Sequence, residues 1–207
     1  MDAGAPRVPV TASTDTTAGR PAALDRPVAM IGAMGAGKSS IGKKLSRRLG
    51  VGFLDTDRLL VQRHGPVAEI FARDGEPRFR ELEREVVAEA LASTGVVSLG
   101  GGAVLDPLTR ERLRGASVVL LTVTPEAVAA RLEGSSRPLL AQGGMDAWRA
   151  IALEREPVYR NLADLVVDTS RRPVSHVVDD VVAWLAGAAP AAAAAPTDLR
   201  HRQEDDA

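Results

Sequence analysis

Residues 32–39 read Gly-Ala-Met-Gly-Ala-Gly-Lys-Ser, the spacing G-x-x-x-x-G-K-S. The apolar run Val28-Ala29-Met30-Ile31 precedes them, and a segment with Ile41, Leu45 and Leu49 on one helical face follows, closed by Gly50. A buried strand, a glycine loop and a helix in that order leave little freedom in how the chain can fold. The loop must turn its backbone N–H groups inward, and side chains would obstruct that turn. The helix start adds its positive end. Such a cradle takes phosphate oxygens, so Gly35, Ala36, Gly37, Lys38, Ser39 and Ser40 are the candidate nucleotide-binding residues. Lys38 brings a mobile positive charge to the β- and γ-phosphates, and the Ser39 hydroxyl can ligate Mg²⁺. The loop alone does not separate a kinase from a switch or a motor.

The rest of the chain alternates short β-rich runs with longer helical patterns. Strands are expected at 28–31, near Val51–Leu54, at Val96-Val97-Ser98-Leu99, at Val118-Val119-Leu120-Leu121 and at Leu165-Val166-Val167. Helices are expected at about Lys38–Leu49, Arg58–Arg63, Val67–Ala72, Thr109–Arg114, from Pro125 through Arg131, through Trp148–Tyr159 and at Val174–Leu185. Asp74-Gly75-Glu76-Pro77 reads as a further helix start, with Asp74 as cap and Pro77 in the first turn, running to about Ala92. Residues 133–144 are loop-like. Strands alternating with helices predict a three-layer α/β/α fold with a five-stranded parallel sheet. Ligands then bind beyond the carboxyl ends of the strands, where Gly32, Asp55 and Gly100 lie.

Composition narrows the partners. The chain has 207 residues, which suits one folded domain, at about 27–186. Residues 1–26 and 187–207 have too few large apolar side chains to offset their chain entropy and are expected to be disordered tails. A net charge of −1 and 3% aromatic residues argue against nucleic acid and anionic membrane. No apolar run reaches the ~18 residues that span a bilayer, and no export signal is visible. The absence of cysteine excludes thiolate chemistry and fits a cytoplasmic protein. A monomer acting on small molecules is expected.

Further motifs follow the loop. Asp55-Thr56-Asp57 closes the second strand; one carboxylate could hold the water shell of Mg²⁺ and the other accept a substrate hydroxyl, or the pair is a helix N-cap with a surface acid. Then come Phe71-Ala72-Arg73-Asp74-Gly75-Glu76-Pro77-Arg78-Phe79-Arg80, Gly100-Gly101-Gly102 and Ser136-Arg137-Pro138. In order and spacing these segments resemble the shikimate kinases, P-loop enzymes of the nucleoside-monophosphate-kinase-like group, over nearly all of 27–173.

The resemblance implies an ATP-dependent kinase of that fold with a mobile lid, using Mg²⁺ and placing the γ-phosphoryl group on the 3-hydroxyl of shikimate. It implies that Asp57 binds the acceptor hydroxyls and is the candidate base. Asp55 would support Mg²⁺ through water beside Ser39. Arg80 and Arg155 would hold the substrate carboxylate, and two guanidiniums suit that planar group. Gly101 would contact substrate through its backbone. Arg137, in the small polar stretch Glu133–Pro138, would reach the ATP phosphates with Lys38. Arg131 and Arg172 match positions beside the adenine, with Arg172 preferred. Without the resemblance, Arg80 and Arg155 read as a solvated helix face and residues 133–138 as an ordinary connection. A related kinase such as a gluconate kinase is the alternative. A nucleotide switch would carry Asn/Thr-Lys-x-Asp and Asp-x-x-Gly motifs, which the chain lacks. A dead relative would not need Lys38, Ser39, Asp55, Asp57 and Arg137 together. His64, His176, Trp148, Trp184 and the Arg47-Arg48 pair read as packing, surface or helix-end residues.

Overall fold

The computed structural model describes residues 24–132 and 144–188. Its strands are β1 (Val28–Ile31), β2 (Phe53–Asp55), β3 (Val96–Ser98), β4 (Ser117–Thr122) and β5 (Leu165–Asp168). Its helices are α1 (Lys38–Leu49), α2 (Thr56–His64), α3 (Val67–Leu91), α4 (Pro107–Leu113), α5 (Pro125–Leu132), α6 (Gly144–Leu162) and α7 (Val174–Leu185), with a 3-10 turn at Ala103–Leu105. The strands form one parallel sheet in the order β2-β3-β1-β4-β5.

β1 is central, and all four of its residues are buried. Alternation sends Val28 and Met30 into one core cluster and Ala29 and Ile31 into the other. The first cluster takes Ile41, Leu45 and Leu49 of α1 with Val177, Val178 and Val181 of α7. The second takes Val87 and Ala90 of α3 and Leu113 of α4. Helices therefore cover both faces, as expected for an all-parallel sheet. α6 serves both clusters, through Trp148 and Ala152 on one and Tyr159 on the other. Leu24 packs against the first cluster, so folded contacts begin three residues before the expected start at 27.

Several boundaries differ from the sequence reading for local reasons. Val51 does not open β2, because its N–H closes α1 on the Ser46 carbonyl at 3.0 Å, and the strand begins at Phe53. α4 starts at Pro107, two residues early: Asp106 caps it by accepting from Thr109 N at 2.9 Å, and proline occupies the first turn, where no donor is missed. The two helices expected at 67–72 and 74–92 are one interrupted element, α3, broken at Gly75 with φ 77° and ψ 173°. Only glycine adopts that conformation without strain. Asp74 does not cap the second half; its carboxylate pairs with Arg73 at 2.7 Å. The expected lid at 133–138, with Arg137, and most of both expected tails lie outside the described residues.

Chain connections leave β1 and β3 in opposite directions, β1 towards the β2 edge and β3 towards β4 and β5. The loops after these two neighbouring strands therefore diverge and open a crevice at the carboxyl end of the sheet. The loop after β1 is residues 32–37, and the loop after β3 begins Gly100-Gly101-Gly102.

Gly32 is where this crevice is tightest. Its φ is +134°, and a Cβ there would overlap the Leu121 carbonyl oxygen of β4. Gly32→Ala combines backbone strain with overpacking against main chain, and is expected to lower the unfolding free energy by about 3 kcal/mol or more in urea denaturation.

Candidate active site

The phosphate loop is defined as much by its carbonyls as by its N–H groups. Gly35 and Gly37 have φ of +83° and +91°, and Gly37 begins α1 without a side-chain cap, so the first N–H groups of the helix face the loop. Every carbonyl from residue 32 to 36 meets a side-chain donor. Lys38 Nζ donates to Gly32 O at 2.8 Å and to Ala33 O at 3.0 Å. Trp148 Nε1 donates to Met34 O at 2.9 Å. Arg131 Nη1 donates to Gly35 O at 2.8 Å. The buried Thr169 hydroxyl donates to Ala36 O at 3.0 Å. Arg131 also bonds the hydroxyl and carbonyl of Thr169, joining α5 to the end of β5.

The two arginines paired in the sequence reading are therefore in different situations. Arg131 lies on the phosphate loop, whereas Arg172 is engaged by the buried Asp180 of α7 at 2.5 Å. Ser39 Oγ stands 3.5 Å from Ser98 Oγ at the end of β3, and Ser40 is exposed.

Asp55, Thr56 and Asp57 divide their work. Asp55 caps α2 by accepting from Arg58 N at 3.2 Å, which is the capping role open in the sequence, and this leaves its second carboxylate oxygen. That oxygen and the Ser39 hydroxyl are hard donors of the kind Mg²⁺ takes alongside waters and phosphates. Among the described residues no group of three His, Cys, Asp or Glu could hold a metal by itself. Thr56 is buried, and its Oγ1 accepts from Gly100 N at 3.0 Å, tying β2 to the triple glycine. Asp57 is the outward residue, and its carboxylate lies against Gly100: a Cβ on Gly100 would overlap Asp57 Oδ1 and come within 3.1 Å of Glu83 Oε1.

The other two glycines receive the basic side chains. A Cβ on Gly102 would meet Arg80 Nη1 at 2.8 Å. A Cβ on Gly101 would fill the space between Tyr159 Oη at 3.6 Å, Arg155 Nη1 at 3.7 Å and Gly32 O at 3.8 Å. Asp57, Arg80, Gly101 and Arg155, far apart in sequence, thus surround one floor beside the phosphate loop. Arg80 is held on both sides, by Glu83 at 2.8 Å and by the exposed Glu76 at 3.1 Å, with its guanidinium 5.1 Å from the Phe79 ring centre. Arg155 Nε is buried and has no hydrogen-bond partner. The nitrogen nearest the glycine floor is Nη1, and a guanidinium there offers charged donors of the kind a carboxylate accepts from.

Five contributors escaped the sequence reading: Thr56, Glu83, Trp148, Tyr159 and Thr169. Glu83 stands three residues after Arg80 and Tyr159 four after Arg155, so helical spacing was a usable signal for both. Tyr159 is buried and donates to Gly101 O at 2.6 Å; burial raises its phenol above the ordinary value, against the opposing influence of Arg155. Thr169 carried no signal, because its partners Ala36, Thr122 and Arg131 are brought to it only by the sheet and α5.

A strand–loop–helix phosphate cradle beside a glycine floor lined by two arginines, at the switch point of a parallel sheet, defines a P-loop kinase of small molecules. The shikimate kinase family model matches residues 34–186. A shikimate kinase of Mycobacterium avium is 49% identical over 160 residues, covering 75% of this chain and 91% of that protein. One of Thermobifida fusca is 47% identical, covering 81% and 97%. The solved shikimate kinase of Acinetobacter baumannii in complex with shikimate superposes with a TM-score of 0.73 at 29% identity, over 78% of this chain and 93% of that one. The chain belongs to the shikimate kinase family. A gluconokinase of Sinorhizobium meliloti, at 22% identity and a TM-score of 0.52, shares the fold.

Burial raises the Glu83 carboxyl above its ordinary value of 4.5; Arg80 pulls it down, Asp57 pushes it up and Arg155 pulls it down. The folded state then binds this proton more tightly than the unfolded chain does, so stability falls as pH rises through the window above 4.5. The difference in unfolding free energy, wild type minus Glu83→Gln, should therefore decrease between about pH 4.5 and neutrality in urea titrations. A difference that stays flat with pH would remove the shift.

Proposed function

We propose that this enzyme transfers the γ-phosphoryl group of ATP to the 3-hydroxyl of shikimate, giving ADP and shikimate 3-phosphate. One observation carries the reading: Asp57, Arg80 and Arg155 converge on the triple glycine next to the phosphate loop. Phosphoryl transfer needs positioning and charge stabilisation above all. The two guanidiniums supply an orienting grip on a carboxylate, and Gly101 leaves the volume for a ring. Binding of that carboxylate displaces the exposed Glu76 from Arg80 and leaves Glu83 in place, since a solvent-screened pair is weak. Held there, the ring offers a hydroxyl to the Asp57 carboxylate, which orients it and accepts its proton as the oxygen attacks phosphorus.

On the donor side, Lys38 leaves the Gly32 and Ala33 carbonyls for the β- and γ-phosphates, and Arg137 adds charge from the segment beyond α5. Arg131, on the loop, and Arg172, near the end of the β5–α7 connection, flank the nucleoside. Ser39 directly, and Asp55 through water, would hold Mg²⁺. When bound, Mg²⁺ neutralises charge on the phosphate oxygens. The same reading makes the enzyme a cytoplasmic monomer of aromatic amino acid biosynthesis. Among the described residues no helix is long and apolar enough to cross a membrane.

A coupled assay of ADP release tests the substrate. Shikimate should support turnover and gluconate should not; the reverse pattern would overturn the assignment. Asp57→Asn should cut kcat by about a hundredfold or more while MgATP binding, followed by calorimetry, survives. Arg155→Ala should raise KM for shikimate by at least about tenfold with KM for ATP within about twofold, since it removes one of two charge-assisted contacts to the carboxylate.

A further inference from the structure

The phosphate loop is held from outside by α6, and the residue that holds it is a tryptophan. We propose that Trp148 is a positioning residue for ATP binding, acting through the Met34–Gly35 peptide. A trans peptide points its C=O and N–H in opposite directions. Trp148 Nε1 holds the Met34 carbonyl at 2.9 Å on the α6 side, so the Gly35 N–H of the same peptide is turned the other way, into the loop. Gly35 has a φ of +83° and no side chain to resist rotation of the plane before it. Without the indole donor that plane can turn over, which presents a carbonyl to the phosphates in place of an N–H.

Ala33 and Met34 also lie against the core cluster that contains Trp148, but a cavity of about 40 Å³ beside the indole, bounded by Ala33, Leu121, Ala152 and Tyr159, leaves that contact incomplete. The neighbouring carbonyls have donors from other elements, Lys38 in α1, Arg131 in α5 and Thr169 after β5. Trp148 alone among these donors comes from α6. Trp148, Arg155 and Tyr159 are spaced by seven and four residues, which puts them within about 40° on one side of the helix. The same face that orients the donor loop therefore carries the acceptor-site arginine and the tyrosine on Gly101.

Trp148→Phe keeps the ring and removes the N–H. Losing one neutral hydrogen bond should raise KM for ATP about fivefold, with kcat and KM for shikimate within about twofold. Unchanged KM for ATP, or equal rises in both KM values, would overturn the proposal and leave Trp148 as packing. Fluorescence gives a second measurement that does not depend on that variant folding. In full-length Trp184→Phe protein, Trp148 is the remaining tryptophan. Saturating MgADP should then change its emission, and shikimate alone should change it much less. No response to MgADP would equally overturn the proposal.

Discussion

The loop from Gly32 to Gly37 cannot turn its N–H groups to a phosphate without turning its carbonyls towards the protein. Each of those carbonyls then needs a donor, because a buried carbonyl without one costs roughly 1–3 kcal/mol. The chain meets this demand from four places, Lys38, Arg131, Trp148 and Thr169. Much of the fold follows from bringing them together: β5 must end beside β4 so that Thr169 reaches Ala36 and Thr122, and α5 and α6 must cross over the loop.

The acceptor side solves a different problem with similar means. Two arginines, Asp57 and Glu83 converge within a few ångströms, and charges at that distance must be offset. Three successive glycines let the side chains approach the main chain directly: Asp57 and Glu83 at Gly100, Arg155 at Gly101 and Arg80 at Gly102. Burial raises Glu83, while the guanidiniums draw it down, so the pair with Arg80 is a compromise between desolvation and attraction. Arg80, for its part, is held above its ordinary value by Glu83 and Glu76 against its own desolvation.

Legibility from sequence followed the range of the interaction. β1, α1 and α7 were placed residue for residue or nearly so, because their apolar periodicity and terminal glycine or proline are local signals. The start of α4 and the start of β2 were missed, since both depend on one hydrogen bond each, Thr109 N to Asp106 and Val51 N to Ser46. Of the two readings open for Asp55 in the sequence, the structure shows the cap: one carboxylate oxygen accepts from Arg58 N at the start of α2. Trp148 was read as packing; its burial bears that out, but its indole N–H does more than fill space.

The sequence by itself determined that the chain makes a phosphate loop between a buried strand and a helix, that the sheet is parallel, and through the Asp-Thr-Asp and triple-glycine motifs which family it joins. These are patterns of neighbours along the chain, and neighbours need no fold to be recognised. Only the tertiary structure decided that Arg131 rather than Arg172 rests on the loop, that Tyr159 secures Gly101, and that α6 ties both halves of the site together. Those contacts join residues separated by 8 to 114 positions, and the sheet order sets nearly all of them.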